Sequence, residues 1–519
     1  MREFYPADYR DPGALAAQAG GREYPAARRA QVASILKRQA EAWGISSESR
    51  ASLDRFARAN SLVVVAGQQP GLFGGPLYTL YKALTAIALA RATEAASGRP
   101  IIPIFWVASD DHDFEEVRRT WLGDGAEPTA LEYPAERVAP GISLARIVLS
   151  SEIETLIARL EQLLPASEFR AEVLGRVRSA YSPGRTWTDA FARLLGAILT
   201  PLGALVFDPS DREAKAIALP VFEREVALMG RSSAAALETG RALERRGYHA
   251  QISRAGNELN LFWHEAAREA VRVGGDGSLR LAGSGRSLGA GELVAAMRER
   301  PGDVSPGVLL RPLMQDYLFP TAAYVGGPSE VAYWAQVNAL YPLFDAAPPA
   351  VAPRAGATLL EPRIAKSLER FGIAWPALAG DAEAVIGETL RALLPDDFPE
   401  TFAREREIQR KSFERLETKV AGFDPSLKAA VSTAAGKVEH EGTGLEKKLM
   451  QVWKRRQDES VQQIRRAAAQ LFPQGRLQER VHSPLGYMAR YGPDLTARLE
   501  RSLGTPGSHV LVPLGGKDP

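Results

Sequence analysis

The sequence contains no cysteine among its 519 residues. Disulfide bonds, zinc held by thiolates and a cysteine nucleophile are therefore excluded together. Histidine is also scarce, with six in the chain and no His-Glu-x-x-His spacing, so a metal site built from several histidines is not expected. These absences narrow the possible chemistry more than any other feature of the composition.

The chain also lacks a strong net charge and a long apolar run. Its 64 basic residues nearly cancel 62 acidic ones, and a net charge of +2 gives no overall field that would hold nucleic acid or an anionic membrane. Apolar runs such as residues 101–108 are too short to cross a bilayer, and no basic segment followed by an apolar one stands at the N-terminus. We therefore expect a cytoplasmic protein without nucleic-acid or membrane partners.

The length predicts more than one structural unit, because 519 residues exceed the size at which a single core stops growing. Apolar, β-branched runs at 61–66 and 101–108 predict buried strands, and helical spacing of apolar residues at 76–96 predicts a helix between them. Such a βαβ unit has parallel strands. The loops 67–71 and 110–116 should therefore face one crevice at the carboxyl edge of the sheet.

Two later runs, 204–207 and 322–325, repeat this pattern and predict further strands of the same sheet. The predicted fold class is therefore α/β with a parallel sheet. We predict insertions in this core at about 120–200 and 212–305, and the short apolar runs of the second one predict antiparallel strands. The hairpins predicted in the second insertion pair 249–253 with 259–263 and 270–273 with 278–282.

From about residue 380 the sequence is typical of helix, with charges on most turns. Residues 402–421 predict one helix, and near-heptad apolar spacing predicts a second one, about 70 Å long, that reaches residue 472. Folding one helix on the other leaves half of the longer one uncovered, which predicts a homodimer through this arm. The alternative is a helix broken at one of its glycines, Gly436, Gly442 or Gly444.

Residues 67–76, Gly-Gln-Gln-Pro-Gly-Leu-Phe-Gly-Gly-Pro, stand directly before a helix. Free amides there would cradle a phosphate or a carboxylate, whereas the alternative is a tight strand-to-helix turn. The loop is neither a Walker loop nor a Gly-x-Gly-x-x-Gly fingerprint. Its two glutamines favour a ligand role, because a turn alone would favour Asn, Asp or Ser. The candidate binding residues are Gly67, Gln68, Gln69, Gly71 and Gly75.

Residues 110–116, Asp-Asp-His-Asp-Phe-Glu-Glu, place five carboxylates and one imidazole in seven positions. Crowded carboxylates raise one another's pKa unless a cation, an amine or a proton relieves them. The alternative is helix capping by the aspartates, with Glu115 and Glu116 in the first turn. We expect both, with Asp111, His112 and Asp113 as catalytic groups, Glu115 as a binding residue and the imidazole as a general base. Such a loop would bind an amine or Mg²⁺.

Isolated charged residues in apolar segments give further candidates. Arg311 would grip a carboxylate with two bonds, and the alternative is a structural ion pair with Asp316 or Glu330. Lys82 lies one to two turns into the first helix. We favour its interpretation as a solvated surface lysine over the alternative of a cation that reaches an anionic substrate. The remaining candidate binding residues are Gln315, Asp316, Gly326, Gly327, Glu330 and Arg354.

Several long motifs of this chain resemble those of the cysteine-adding enzymes of bacillithiol biosynthesis. They are AGQQPGLFGGPLYTLYK at 66–82, FWVASDDHDFEE at 105–116, LRPLMQDYLFP at 310–320, YVGGPSEVAYW at 324–334 and LQER at 477–480. The similarity runs in the same order from about residue 60 to 495. The chain is therefore identified as a member of this family.

The resemblance implies a Rossmann-like core over 1–375, a coiled-coil arm over 376–475, a tail over 476–519 that returns to the core, and a dimer. It also implies a ligase that adds cysteine to glucosaminyl malate through an amide bond. Activation of the carboxyl group by ATP, with Mg²⁺, is our hypothesis, because amide formation must be driven. Two alternatives remain open: Mg²⁺-dependent phosphoryl or nucleotidyl transfer to a sugar-like acceptor, and a coiled-coil scaffold whose core senses a ligand.

Overall fold

The structure, a computed structural model, describes residues 3–5, 7–21, 23–123, 127–253, 256–395 and 397–515. These residues form two compact units. The first comprises the described parts of 1–124, 128–359 and 478–512, and the second comprises 127, 360–477 and 513–515. The domain limits expected from the sequence, at 376 and 476, stay predictions.

The strands occur in chain order as β1 (Leu62–Gln68), β2 (Ile101–Val107), β3 (Arg119–Leu122), β4 (Thr129–Glu132), β5 (Leu205–Phe207), β6 (Glu258–His264), β7 (Arg268–Val273), β8 (Leu279–Leu281), β9 (Ser287–Leu288), β10 (Val304–Pro306), β11 (Thr321–Gly326), β12 (Ala350–Pro353), β13 (Gly356–Leu360) and β14 (His509–Pro513). Two pairs, β3 with β4 and β13 with β14, form small separate sheets.

The α-helices up to residue 338 are α1 (Pro12–Gly20), α2 (Ala26–Trp43), α3 (Ser47–Phe56), α4 (Leu77–Ser97), α5 (Phe114–Val117), α6 (Glu152–Leu163), α7 (Arg170–Ala180), α8 (Trp187–Leu199), α9 (Arg212–Leu228), α10 (Arg231–Arg245), α11 (Ala290–Glu299), α12 (Arg311–Leu318) and α13 (Pro328–Asn338). After them come α14 (Pro362–Phe371), α15 (Ala382–Ala392), α16 (Asp397–Ala421), α17 (Lys428–Arg456), α18 (Asp458–Leu471), α19 (Pro484–Tyr491) and α20 (Leu495–Ser502).

The central sheet has the strand order β12-β11-β1-β2-β5, and every neighbouring pair is parallel. All four strands predicted from apolar runs are therefore confirmed. Gly67 lies beside Trp106 and Gln68 beside Val107, so β1 and β2 end at the same level. This register brings the loops that follow them to one edge of the sheet.

Helix α4 connects β1 to β2, as the sequence predicts. Pro76 precedes it, and Gly98 ends it in the left-handed conformation at φ 66°, which glycine adopts without a steric penalty. The helix is buried on most of its surface and not on one stripe alone. Charged side chains on its first turns therefore need partners inside the protein.

The insertion contains an antiparallel sheet of order β10-β6-β7-β8-β9. The predicted pairing of 270–273 with 278–282 is confirmed by β7 and β8. The predicted pairing of 249–253 with 259–263 is wrong, because β6 pairs with β7 and β10 instead. The side-chain amide of Gln336 accepts from the Ile252 amide at 3.0 Å and donates to its carbonyl at 2.9 Å, so this backbone is satisfied without a strand.

The second unit is helical. Helices α16 and α17 match the two predicted arm helices, and Gly436, Gly442 and Gly444 lie inside α17 without breaking it. The single helix predicted to reach residue 472 is wrong, because the chain leaves helical geometry at Gln457. The reason lies in packing: α18 buries Val461, Ile464, Ala467 and Leu471 in a small core with Leu368, Ile386 and Leu390.

The arm keeps apolar side chains exposed. They include Ile408, Leu416, Val438, Leu445 and Val452, with Phe423 at the turn between α16 and α17. The homodimer through this arm stays a prediction. Among the described helices, none combines the length and the apolar character needed to cross a membrane.

Candidate active site

The loops after β1 and β2 meet at the carboxyl edge of the central sheet, as the sequence predicts. Gln69 joins them through its side-chain amide, which donates to Asp111 Oδ2 at 2.8 Å and to Glu116 Oε2 at 2.9 Å. One glutamine therefore holds two carboxylates of the acidic loop. The strand register described above makes this contact possible across 42 residues of sequence.

A cleft of about 450 Å³ opens at this edge. Of the predicted site residues, ten line it: Gly67, Gln68, Gln69, Lys82, Asp111, His112, Arg311, Gly327, Glu330 and Arg354. Seven others do not: Gly71, Gly75, Asp113, Glu115, Gln315, Asp316 and Gly326.

The loop that contains Gly71 and Gly75 is a tight turn, and its amides are not free for a phosphate. The Gly71 amide donates to Gln69, the Gly75 amide to Leu72, and the Leu77 amide at the start of α4 to the His482 carbonyl. A Cβ on Gly71 would lie 2.7 Å from the Gly75 Cα, so only glycine permits this approach. The amides of Gly71, Gly75 and Leu77 are therefore not free to cradle an anion.

Capping and surface pairing account for two acidic residues outside the cleft. Asp113 accepts from the Glu116 amide at 3.2 Å and caps α5, while Glu115 pairs with Arg118 at 2.8 Å. The capping alternative is thus the correct interpretation for Asp113. Asp111 remains in the cleft, where its Oδ1 accepts the amides of His112 at 2.7 Å and Asp113 at 3.2 Å.

Gln315 and Asp316 belong to the protein interior beside the cleft. Gln315 is fully buried and donates to Asp316 Oδ1 at 3.3 Å, and the Tyr341 hydroxyl donates to Asp316 Oδ2 at 2.5 Å. Gly326 ends β11, and a Cβ there would lie 3.1 Å from the Glu330 Cβ. These three residues support the wall of the cleft and do not line it.

Lys82 is buried and forms an ion pair with Glu330, so the favoured interpretation as a surface lysine is wrong. Its ammonium group also donates to the Gly67 carbonyl at 3.0 Å and to Gln68 Oε1 at 2.7 Å. Burial lowers the pKa of Lys82. Burial opposes ionisation of Glu330 too, but the charges of Lys82 and Arg311 outweigh it and hold the pKa of Glu330 below its usual value.

Tyrosines surround this ion pair. The Tyr324 hydroxyl donates to Glu330 Oε1 at 2.6 Å, and Arg311 donates to the hydroxyls of Tyr333 at 3.0 Å and Tyr324 at 3.4 Å. Burial raises the pKa of Tyr333 to about 12, so it stays a neutral phenol. Of the two ion pairs considered for Arg311, with Asp316 or with Glu330, the electrostatic interaction with Glu330 is supported. The direct contacts of Arg311 are tyrosine hydroxyls.

His112 contacts a residue from the antiparallel sheet. Arg268 Nη1 lies 2.9 Å from His112 Nδ1, and the Arg268 guanidinium lies 3.6 Å from the centre of the Phe262 ring. Burial, followed by the charge of Arg268, lowers the pKa of His112, although Asp111 and Asp113 oppose this. The imidazole is therefore neutral at physiological pH.

Arg354 forms a buried, two-bond ion pair with Glu479, with Nη1 at 3.0 Å from Oε2 and Nη2 at 2.5 Å from Oε1. The next residue, Arg480, is exposed and lines the cleft. Within the described part of the chain, Arg480 has no hydrogen bond or ion pair. It is thus a guanidinium available to an anionic ligand.

Comparison with known proteins agrees with this architecture. Residues 1–355 match the model of the bacillithiol biosynthesis BshC N-terminal Rossmann-like domain, and residues 357–508 match that of the BshC C-terminal coiled-coil domain. The chain belongs to the BshC family. Its fold class is therefore a Rossmann-like parallel core with a C-terminal coiled-coil domain, as expected.

Relatives named "Putative cysteine ligase BshC" cover nearly the whole chain. That of Salinibacter ruber is 35% identical over 99% of this chain and 94% of its own length. That of Koribacter versatilis is 32% identical over the same shares, and that of Symbiobacterium thermophilum is 32% identical over 91% and 87%. The family and its place in bacillithiol biosynthesis are thereby confirmed.

Several lining residues of this BshC-family cleft were missed from the sequence. Tyr78 shares a helix face with Lys82 four residues later, and Arg480 ends a motif already noted, so both had a local signal. Arg268 had none, because it reaches the cleft from a hairpin far along the chain. The remaining missed residues with polar side chains are Asp110, Glu116, Tyr324, Ser329 and Tyr333.

The acidic loop distributes its charges among separate partners. The contacts of Asp111, Asp113, Glu115 and Glu116 are described above. Asp110 forms a buried ion pair with Lys215 at 2.6 Å. In the ranges that the structure describes, no three His, Asp or Glu side chains gather closely enough to hold a metal ion. The use of Mg²⁺ therefore stays a prediction.

Proposed function

We propose that this cleft joins the carboxyl group of cysteine to the amine of glucosaminyl malate. The observation that carries the proposal is the Gln69 bridge, which sets Asp111 and Glu116 side by side in a cleft that also contains Arg480. Such a cleft offers anions to an amine and a cation to a carboxylate. The relatives' name, "Putative cysteine ligase BshC", supports a ligase that acts on cysteine.

The two carboxylates form the amine site. Their negative charges favour a bound ammonium group, and each keeps a further oxygen lone pair beside the bond from Gln69. The ammonium group first releases one proton to water, and the neutral amine then bonds to the activated carboxyl carbon of cysteine as the C–O bond to the phosphorylated oxygen breaks. The proton it loses passes to Glu116, whose second oxygen accepts no hydrogen bond from the described residues.

The guanidinium of Arg480 forms the carboxylate site. An arginine binds a carboxylate with two parallel hydrogen bonds, and the malyl part of the substrate offers two such groups. Arg311 and Arg354 are less available, because they already bind tyrosine hydroxyls and Glu479. Arg480 therefore selects the dicarboxylate end of the amine substrate in this proposal.

ATP is proposed as the driving co-substrate, with Mg²⁺ as its counterion. Condensing a carboxyl group with an amine loses one carboxyl oxygen, which leaves on a phosphorus atom of the nucleotide. The loop before α4 does not fit a phosphate, since its amides bind carbonyls. We place the phosphates near the start of α13, where Pro328 and Ser329 line the cleft and a helix N-terminus favours anions, although the Gly327 amide there already donates to Glu330.

The proposal is tested by mass spectrometry of the product made by the purified full-length protein from cysteine, glucosaminyl malate, ATP and Mg²⁺. We expect the mass of both substrates combined less one water, and a free thiol. Amide formed without any nucleotide would exclude ATP. A phosphorylated sugar with no amide would favour the phosphoryl-transfer alternative.

A matched pair of variants tests the amine site. Glu116→Gln should raise the KM for glucosaminyl malate and lower kcat, because it removes the carboxylate that receives the proton. Glu115→Gln should leave both unchanged, since Glu115 pairs with Arg118 outside the cleft. Equal effects of the two changes would contradict the amine site.

A further inference from the structure

The contact between Arg268 and His112 determines which imidazole nitrogen carries the proton. A guanidinium has five N–H donors, no acceptor and a pKa too high for deprotonation. Arg268 Nη1 lies 2.9 Å from His112 Nδ1, so Nδ1 accepts this hydrogen bond. A neutral imidazole that accepts at Nδ1 has its hydrogen on Nε2.

Arg268 is fixed in place by other contacts. Its Nε donates to Ser305 Oγ at 3.0 Å, its Nη2 donates to the Pro306 carbonyl at 2.9 Å, and its plane covers the Phe262 ring. Ser305 is fully buried, and Pro306 lines the cleft. The donor at Nδ1 is therefore built into the antiparallel sheet and cannot easily turn away.

The charged groups around His112 do not reverse this arrangement. Asp111 Oδ1 is 3.8 Å from Nδ1, too far for a hydrogen bond, and it is already bound by two backbone amides. Asp113 caps α5. A second proton on Nδ1 would place two N–H groups against each other at the Arg268 contact.

We infer that Arg268 is a positioning residue that holds His112 as the neutral Nε2–H tautomer, and that His112 serves the reaction as a hydrogen-bond donor. The inference rests on the proposed function for its last step. There, Nε2–H donates to the carboxyl oxygen of cysteine that gains negative charge as the amine attacks. The general-base role expected for His112 from the sequence passes to Glu116.

The surroundings of His112 Nε2 agree with this assignment. His112 lines the cleft with 41% of its side chain exposed, and no described residue hydrogen-bonds to Nε2. A donor aimed at a substrate needs such an unoccupied atom. A base at Nε2 would need the lone pair that the Arg268 contact has replaced by a hydrogen.

Nitrogen NMR of the full-length protein with ¹⁵N-labelled histidine tests the tautomer without any substrate. The His112 signals are assigned from their loss in His112→Gln. We expect a protonated Nε2 and an unprotonated Nδ1 near pH 7.5, and a mixture of tautomers in Arg268→Ala. Arg272→Ala, a matched change on the same strand whose side chain pairs with Glu258, should look like the wild type. A protonated Nδ1 in the wild type, or no change in Arg268→Ala, overturns the inference.

Kinetics test the donor role. His112→Ala should lose about 100-fold in kcat, which is typical for removal of one oxyanion donor. His112→Gln should stay within about tenfold of the wild type, because its amide N–H replaces Nε2–H but cannot accept a proton. Arg268→Ala should lower kcat about tenfold with little change in KM.

The outcomes separate this inference from the proposed function. His112→Gln as inactive as His112→Ala would restore the base role and end the donor assignment. If the wild type makes no amide product, the proposed function fails. The NMR spectra then still decide whether Arg268 holds the Nε2–H tautomer.

Discussion

The buried ion pair between Lys82 and Glu330 gives a quantitative prediction for stability. The two side chains are only 4% and 21% exposed, and Glu330 is left with Tyr324 and Gly327 as direct donors once Lys82 is removed. Breaking a buried pair from one side costs about 3–5 kcal/mol, because the remaining charge stays buried. Lys82→Met should therefore lower the free energy of unfolding by about 3 kcal/mol or more.

The double variant Lys82→Met with Glu330→Gln should recover about 2 kcal/mol of that loss, since it removes the unpaired carboxylate while Arg311 keeps its bonds to the tyrosine hydroxyls. Urea unfolding at pH 7, followed by tryptophan fluorescence, measures both. The matched control is Lys37→Met, which removes an exposed pair with Glu41 at 4.0 Å and should cost at most about 0.5 kcal/mol. A loss in Lys82→Met no larger than in Lys37→Met would refute the reasoning, and so would a double variant less stable than the single one.

Three further predictions concern other parts of the first unit. Burial lowers the pKa of His482 to about 4, so the unfolded chain binds a proton first as pH falls. His482 should therefore contribute a stability loss of up to about 3 kcal/mol from pH 6.5 to pH 4, a contribution that His482→Gln removes and exposed His249→Gln does not. Gly71→Ala should cost about 1–3 kcal/mol in thermal unfolding because its Cβ meets backbone, whereas Gly196→Ala in α8, with open space, should not destabilise the fold. Arg480→Ala should raise the KM for glucosaminyl malate at least tenfold with unchanged melting temperature; a KM within twofold would exclude Arg480 as the carboxylate site.

The core of the fold was predictable because its signals are local. The apolar runs that became β1, β2, β5 and β11 need only side-chain patterning to be recognised, and the parallel arrangement follows from the helix between β1 and β2. Because β1 and β2 are parallel neighbours, the loops that follow them were also predicted to meet. Gln69 and Asp111 therefore came together in the structure as the sequence indicated.

The failures involve tertiary packing. The sequence favours a surface position for Lys82 because a helix is normally exposed on one side, whereas α4 is buried on most of its surface. A signal existed, since Lys82 is the single charged residue between positions 77 and 90. Arg268 had no signal, because its contact with His112 spans 156 residues and depends on how the insertion packs.

The break at Gln457 could not be located for a related reason. The apolar spacing continues from α17 into α18 without a glycine or proline at the junction, so local propensity gives no reason to stop. The small core formed with α14 and α15 decides the geometry. The hairpin at 249–253 failed similarly, because a distant glutamine satisfies its backbone.

The ion pair between Arg354 and Glu479 has a consequence for how the chain is made. Residues 360–477, which make up most of the second unit, lie between these two partners in the sequence, so the ribosome synthesises them before Glu479 and Arg480. Until then Arg354 has no counter-charge and the cleft lacks part of its lining. A fragment that stops at residue 475 should fold its helical arm yet remain incompetent in catalysis, and adding a peptide that spans 478–512 in trans should restore activity.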